Sequence, residues 1–211
     1  DKKLPKSRNE ANPANAVFVD PGLLNISGDR LAMMQDKGMD KERHLLKLRN
    51  FFNKVEKETG CIVKIAAHPG YDGCSYPDAF GKRLTIVNKT MEMISRSNFV
   101  ITHGSTAVSF AVLFGKPIIF LTQTTEEKLA TNQDLPINRG IFTDQVIGLE
   151  QMASWYGKIP IDIDNLIDVD WDKELKINED LYHNYKNSFL IAKGTEEINS
   201  WQIVANRLKL L

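Results

Sequence analysis

Two short runs hold the residue types best suited to chemistry: His68-Pro69-Gly70 and His103-Gly104-Ser105-Thr106. Each follows an apolar run rich in β-formers, 61–67 in the first case and 99–102 in the second. Proline after His68 biases that residue away from helix and fixes the exit of the chain. An imidazole there can donate a hydrogen bond to a phosphate oxygen, more strongly when protonated; its ordinary alternative is a bond to a nearby carbonyl. Gly104 permits positive φ or close backbone approach. Ser105 and Thr106 sit where a helix begins, where the first N–H groups lack internal partners and the helix dipole favours an anion. They can bind a phosphate or simply cap the helix.

Other residues carry weaker signals. Asp20 ends an apolar run before Pro21-Gly22, so it can lie on the same rim as the two histidines. Glu92 opens a short helix and can reach a ribose hydroxyl, or can merely place a favourable charge at a helix N-terminus. Asp72 and Asp78 read as turn residues, and Lys82-Arg83 and Lys116 as solvated charges. His44 and His183 fall inside helical patterns and read as surface or packing residues. Cys61 reads as a buried thiol. No Walker motif, Cys/His zinc spacing, nucleophile elbow or GxGxxG occurs in the chain.

The elements that must position these residues are legible from periodicity. Strands are expected at 16–20, 61–67, 84–87, 99–102 and 118–121, with an edge strand at 159–163 around Pro160. A helix is expected at 40–59, with Leu45, Leu48, Phe52 and Val55 on one stripe, Asp40 as N-cap and Gly60 as C-cap. Further helices are expected at 90–95, 107–114, 143–156, 172–193 and 196–211. The run 107–114 is apolar almost all round, as a helix covered on every side would be. Tyr185, Phe189 and Trp201 read as core. Strands alternating with helices imply right-handed crossovers and a doubly wound, Rossmann-like parallel sheet of the α/β class, which binds ligands at the carboxyl ends of its strands. The expected division is a linker over 1–15, a nucleotide-binding domain over 16–165 and C-terminal helices over 166–211 packing on it.

Composition narrows the classes. The 211 residues include 27 Lys plus Arg and 27 Asp plus Glu, so there is no net charge to draw the chain toward nucleic acid. Two cysteines are too few for a disulfide scaffold and favour a reducing cytoplasm. The sequence has no apolar run of about 18 residues, the length a membrane span needs.

Taken together, VFVDPG, VKIAAHPG, the Thr90-x-Glu92-Met-Ile run and FVITHGSTAVSFAVLFGKPIIFLT resemble the C-terminal, donor-binding half of bacterial surface-polysaccharide glycosyltransferases of the GT-B type. These enzymes build capsule and lipopolysaccharide glycans. The paired signature is similar to the His-Pro and Ser-Ser/Thr motifs of bacterial sialyltransferases and Kdo transferases, which bind the phosphate of a CMP-sugar. The resemblance implies that His68, Gly104, Ser105 and Thr106 bind the donor phosphate, with His103, Pro69, Gly70, Glu92 and Asp20 as further donor-site candidates. It implies a nucleotide-sugar co-substrate, no cofactor and no required metal. The partners it implies are a glycan or lipid-linked glycan acceptor and an N-terminal acceptor-binding domain, with the whole working in the cytoplasm or at the inner-membrane periphery. The acidic motif that supplies the general base in such enzymes is not found in this sequence, so the base is expected outside this chain. Two other classes stay open from the residues: a nucleotide-sugar 2-epimerase, and a non-catalytic nucleotide- or glycan-binding module.

Overall fold

The computed structural model describes residues 14–22, 41–71, 73–74, 78–123, 149–166 and 168–191. Six strands form one all-parallel sheet: β1 (Asn15–Val19), β2 (Ile62–Ala67), β3 (Thr85–Val87), β4 (Phe99–Thr102), β5 (Ile118–Thr122) and β6 (Ile161–Asp162). Their order is β3-β2-β1-β4-β5-β6. The order runs one way from β1 through β3 and then reverses at β4, so β1 and β4 flank the switch point of a doubly wound α/β fold. This is the Rossmann-like sheet expected from the alternation of strands and helices. β1 begins at Asn15, at the end of the segment expected to be linker. The Asn15 N–H donates to Asn98 Oδ1 at 2.9 Å, and its carbonyl accepts from the Asn98 N–H at 2.8 Å.

Alternation along the strands divides the core into two layers. Ala16, Phe18, Val63, Ile65, Phe99, Ile101, Ile119 and Leu121 face helix α1 (Lys41–Thr59). Leu45, Leu48, Phe52 and Val55 of that helix form the expected stripe, and all four are buried. Val17, Val19, Ala66, Val100, Ile118 and Phe120 face the other layer, which contains α2 (Thr90–Ser95), α3 (Val108–Leu113) and helical residues 149–154. Burying each large side chain contributes about 1.5–3 kcal/mol, so the two layers together hold the sheet between them. Arg83, read as solvated, instead forks onto Glu56 through Nε and Nη2 at 3.0 and 2.7 Å and lies over the Phe52 ring. Cys61 is buried, as expected.

Three expectations are corrected. The single helix over 172–193 is two short helices, α4 (Trp171–Glu174) and α5 (Glu179–Tyr185), followed by a π-helical turn over Lys186–Leu190. Asn178 breaks it: its side chain accepts from the Leu181 N–H at 3.1 Å and caps α5, with Glu179 and Asp180 in the first turn. α3 is covered on one side only. Val108, Ala111 and Val112 are buried, whereas Leu113 and Phe114 are exposed. Phe189 is 61% exposed rather than core, stacked at the surface on Trp155 and tilted against Tyr185. The expected cap at Asp40, the helix over 196–211, the start of the helix over 143–156, Asp72 and Trp201 lie outside the described residues. Among the described residues, no helix is long and apolar enough to cross a membrane.

Candidate functional site at the carboxyl edge

The pairing register explains which residues meet. Val19 of β1 pairs with Ala66 of β2 and with Thr102 of β4. One step further, Asp20 lies level with Ala67 and His103, and His68 stands just beyond. The two histidine motifs therefore end strands on either side of β1, on one rim, at the switch point.

Asp20 organises the β1–β2 side. It is buried, its Oδ1 accepts from the Gly22 N–H at 2.9 Å, and its Oδ2 accepts from the His68 N–H at 3.3 Å. The carboxylate thus ties the chain after β1 to the chain after β2. Gly22 has φ +90°, and a Cβ there would lie 3.0 Å from the His68 ring, so only glycine lets the two turns close on each other. The His68 side chain is exposed. Its Nδ1 accepts from the Gly70 N–H at 3.2 Å, which orients the ring and leaves Nε2 as the ring's outer donor. Pro69 and Gly70 are exposed beside it.

Thr102 organises the β4 side. Its buried hydroxyl donates to the Val19 carbonyl at 3.3 Å and accepts from the Gly104 N–H at 3.1 Å. Gly104 turns the chain at φ +116°, a conformation that a side chain would strain. Its amide is engaged by Thr102, so Gly104 contributes shape rather than a free donor. Ser105 Oγ accepts from the Ala107 N–H at 3.2 Å, which leaves its hydroxyl proton to donate outward. Thr106 is exposed next to it. α3 starts without a side-chain cap. Glu92 stands apart on α2, where its carboxylate meets Lys89 at 3.4 Å and Arg96 at 3.1 Å.

His103 departs most from its expected setting. Side chains at 99 and 101 face α1, and His103 continues that alternation into the α1 layer instead of out to the rim. Its ring lies edge-on to Phe18 and 5.9 Å from it, and 5.3 Å from the ring of His44 in the first turn of α1. His103 Nδ1 contacts the Leu121 carbonyl at 3.0 Å. His44 Nδ1 in turn contacts Gln123 Oε1. Burial lowers the basicity of both imidazoles; His103 is brought down to about 3, with the neighbouring His44 pushing the same way and the Leu121 carbonyl opposing. Lys47 also lowers His44, while Gln123, Asp164 and Asp20 raise it. Lys47 itself is ion-paired to Asp164 just past β6.

Sequence reasoning missed His44, Gln123 and Lys47 as members of this cluster, although signals exist. His44 lies four residues before Leu48 and eight before Phe52, on the buried stripe of its helix. Asp20, His103 and Gln123 each continue the α1-facing alternation one step past the ends of β1, β4 and β5. Among the described residues no group of three or more His, Cys, Asp or Glu side chains is arranged to hold a metal. At the opposite, amino edge of the sheet a cleft of about 380 Å³ lies between Tyr156–Ile159 and Lys173–Asn178. Its Lys158 amine is engaged by the Lys173 and Glu174 carbonyls at the end of α4. No protein-family model matches this chain, and no curated protein matches it either.

Proposed function

We propose that this chain is the donor-binding half of a glycosyltransferase, taking a nucleotide-sugar at the carboxyl edge of its sheet for transfer onto a surface glycan. The observation that supports this reading is the placement of His68, Asp20 and the Gly104-Ser105-Thr106 turn on one rim beside the β1/β4 switch point, where doubly wound sheets take their ligands. His68 Nε2 and the Ser105 and Thr106 hydroxyls are the donors that would face the donor phosphate. Such groups neutralise a single phosphate without a metal. They act most strongly as the glycosidic bond breaks and charge grows on the departing nucleotide, which is differential stabilisation of the transition state. The acceptor and the general base come, in this reading, from another domain, and the reaction belongs in the cytoplasm or at the inner-membrane periphery, where nucleotide-sugars are made.

Calorimetric titration with CMP, UDP and GDP tests the proposal. One nucleotide binds, and His68→Ala weakens it about tenfold, the effect of one charge-assisted hydrogen bond. If none of the three binds and the variant behaves like the parent chain, the reading is wrong.

A further inference from the structure

Beside the ion-paired Lys47 Nζ, three nitrogen atoms in the α1 layer are buried without a hydrogen-bond partner: His44 Nε2, His103 Nε2 and Gln123 Nε2. They belong to side chains in mutual contact, at the ends of β4 and β5 and in the first turn of α1. Their partners fix what each can offer. A backbone carbonyl only accepts, so the contact of His103 Nδ1 with Leu121 requires the proton on Nδ1 and leaves a lone pair on Nε2. Gln123 Oε1 likewise only accepts, so His44 carries its proton on Nδ1 and a lone pair on Nε2. The Gln123 amide nitrogen keeps its protons. The cluster therefore presents two acceptors and one donor, all buried.

That set does not suit a phosphate, whose oxygens at neutral pH need donors. Protonation would convert the imidazoles into donors, but burial opposes it at both rings. The charged groups facing His44 do not reverse this, because Lys47 is paired with Asp164 and Asp20 is tied to the Gly22 and His68 amides. A hydroxyl group fits, since it donates to an imidazole lone pair while accepting from an amide N–H. Neighbouring hydroxyls on one ring could use both imidazoles at once.

We propose that His44, His103 and Gln123 form a subsite that receives the hydroxyl groups of a sugar ring, either the ribose of the nucleotide or the transferred sugar. The proposal rests on the nucleotide-sugar reading above and divides the labour on the rim. His68, Ser105 and Thr106 take the anion on the outer side, and the histidine pair takes neutral hydroxyls on the α1 side.

Calorimetry on the full chain with CMP, 2′,3′-dideoxy-CMP and CMP-N-acetylneuraminate tests it, in the parent and in His44→Phe. If ribose occupies the subsite, the dideoxy nucleotide binds at least tenfold more weakly than CMP, and His44→Phe abolishes that difference. If the transferred sugar occupies it, CMP and its dideoxy form bind alike, and the extra affinity of the sugar nucleotide over CMP disappears in the variant. CMP binding with neither pattern overturns the subsite and leaves the nucleotide site standing; no binding by any of the three overturns the subsite, and overturns the nucleotide reading as well when UDP and GDP also fail to bind. Imidazole ¹⁵N spectra of the parent chain give a readout that does not depend on the variant folding. The account requires unprotonated Nε2 on both histidines in the free chain and movement of those resonances when the ligand is added. A protonated Nε2, as the opposite orientation of the Gln123 amide would produce, contradicts it.

Discussion

His68 and His103 end strands that flank the same central strand, yet the fold uses them in opposite ways. β2 delivers His68 past the edge of the sheet, where its ring is exposed, lies against Gly22 and accepts from the Gly70 amide. β4 delivers His103 one register step earlier, level with Asp20, into the α1 layer against Phe18 and His44. An exposed imidazole with Nδ1 accepting can donate Nε2–H to an anion. A half-buried one, with its Nε2 shut off from solvent between Phe18 and the His44 ring, stays neutral and offers a lone pair. A displacement of one residue along the register thus separates an exposed imidazole from a half-buried one on the same rim.

The largest expected effect comes from removing the floor beneath only one of the two. Phe18 is fully buried and touches His103, Phe52 and Phe80. Phe18→Ala is expected to cost about 3–5 kcal/mol in urea denaturation, with His103 losing its setting while His68 keeps its own. A loss under 1 kcal/mol would show that the α1 layer collapses around the gap. Asp20→Asn comes next. The amide offers one acceptor oxygen where the carboxylate offered two, so the Gly22 or the His68 amide is left facing an NH₂ group. The expected loss is about 1–3 kcal/mol by the same measurement, carried by the β1–β2 side.

The acid limb of stability separates the histidines directly. His103 binds its proton only near pH 3 when folded, against 6.5 when unfolded, so the unfolded chain holds more protons between those values. Its contribution is complete above pH 6.5 and declines as pH falls toward 3. Thermal melts from pH 7 to 5 should therefore show stability falling with acid, with a shallower slope in His103→Phe than in the parent. An unchanged slope would mean that His103 is not held neutral. The smallest effect belongs to Glu92, whose pairs with Lys89 and Arg96 lie on the surface of α2. Glu92→Ala should change stability by no more than about 0.5 kcal/mol, and nucleotide titration should be unaffected if Glu92 stands outside the site.

The sheet was legible in the sequence because each strand is a short run of β-formers ended by Gly, Pro or a polar turn, and α1 shows a clear apolar stripe. The rim was legible too, since doubly wound folds put function at strand ends. The orientation of His103 was less so. Alternation from Phe99 through Ile101 points it into the core, but the small-residue turn that follows reads as a surface loop. The role of His44 depends on His103 and Gln123, which are 59 and 79 residues away in sequence, and no local pattern encodes that meeting. The break at Asn178 was readable as a cap followed by acidic residues, but the apolar positions on either side share one helical period and concealed it.

In the proposed reading the carboxyl edge of the sheet, and not the cleft at its amino edge, holds the nucleotide. Amide chemical-shift mapping during a CMP titration tests it most directly. The account predicts that the resonances of Gly22, His68, Gly70 and Ser105–Ala107 move together, while those of Gly157, Lys158 and Asn178 stay in place. Shifts confined to the residues around Lys158 would contradict it.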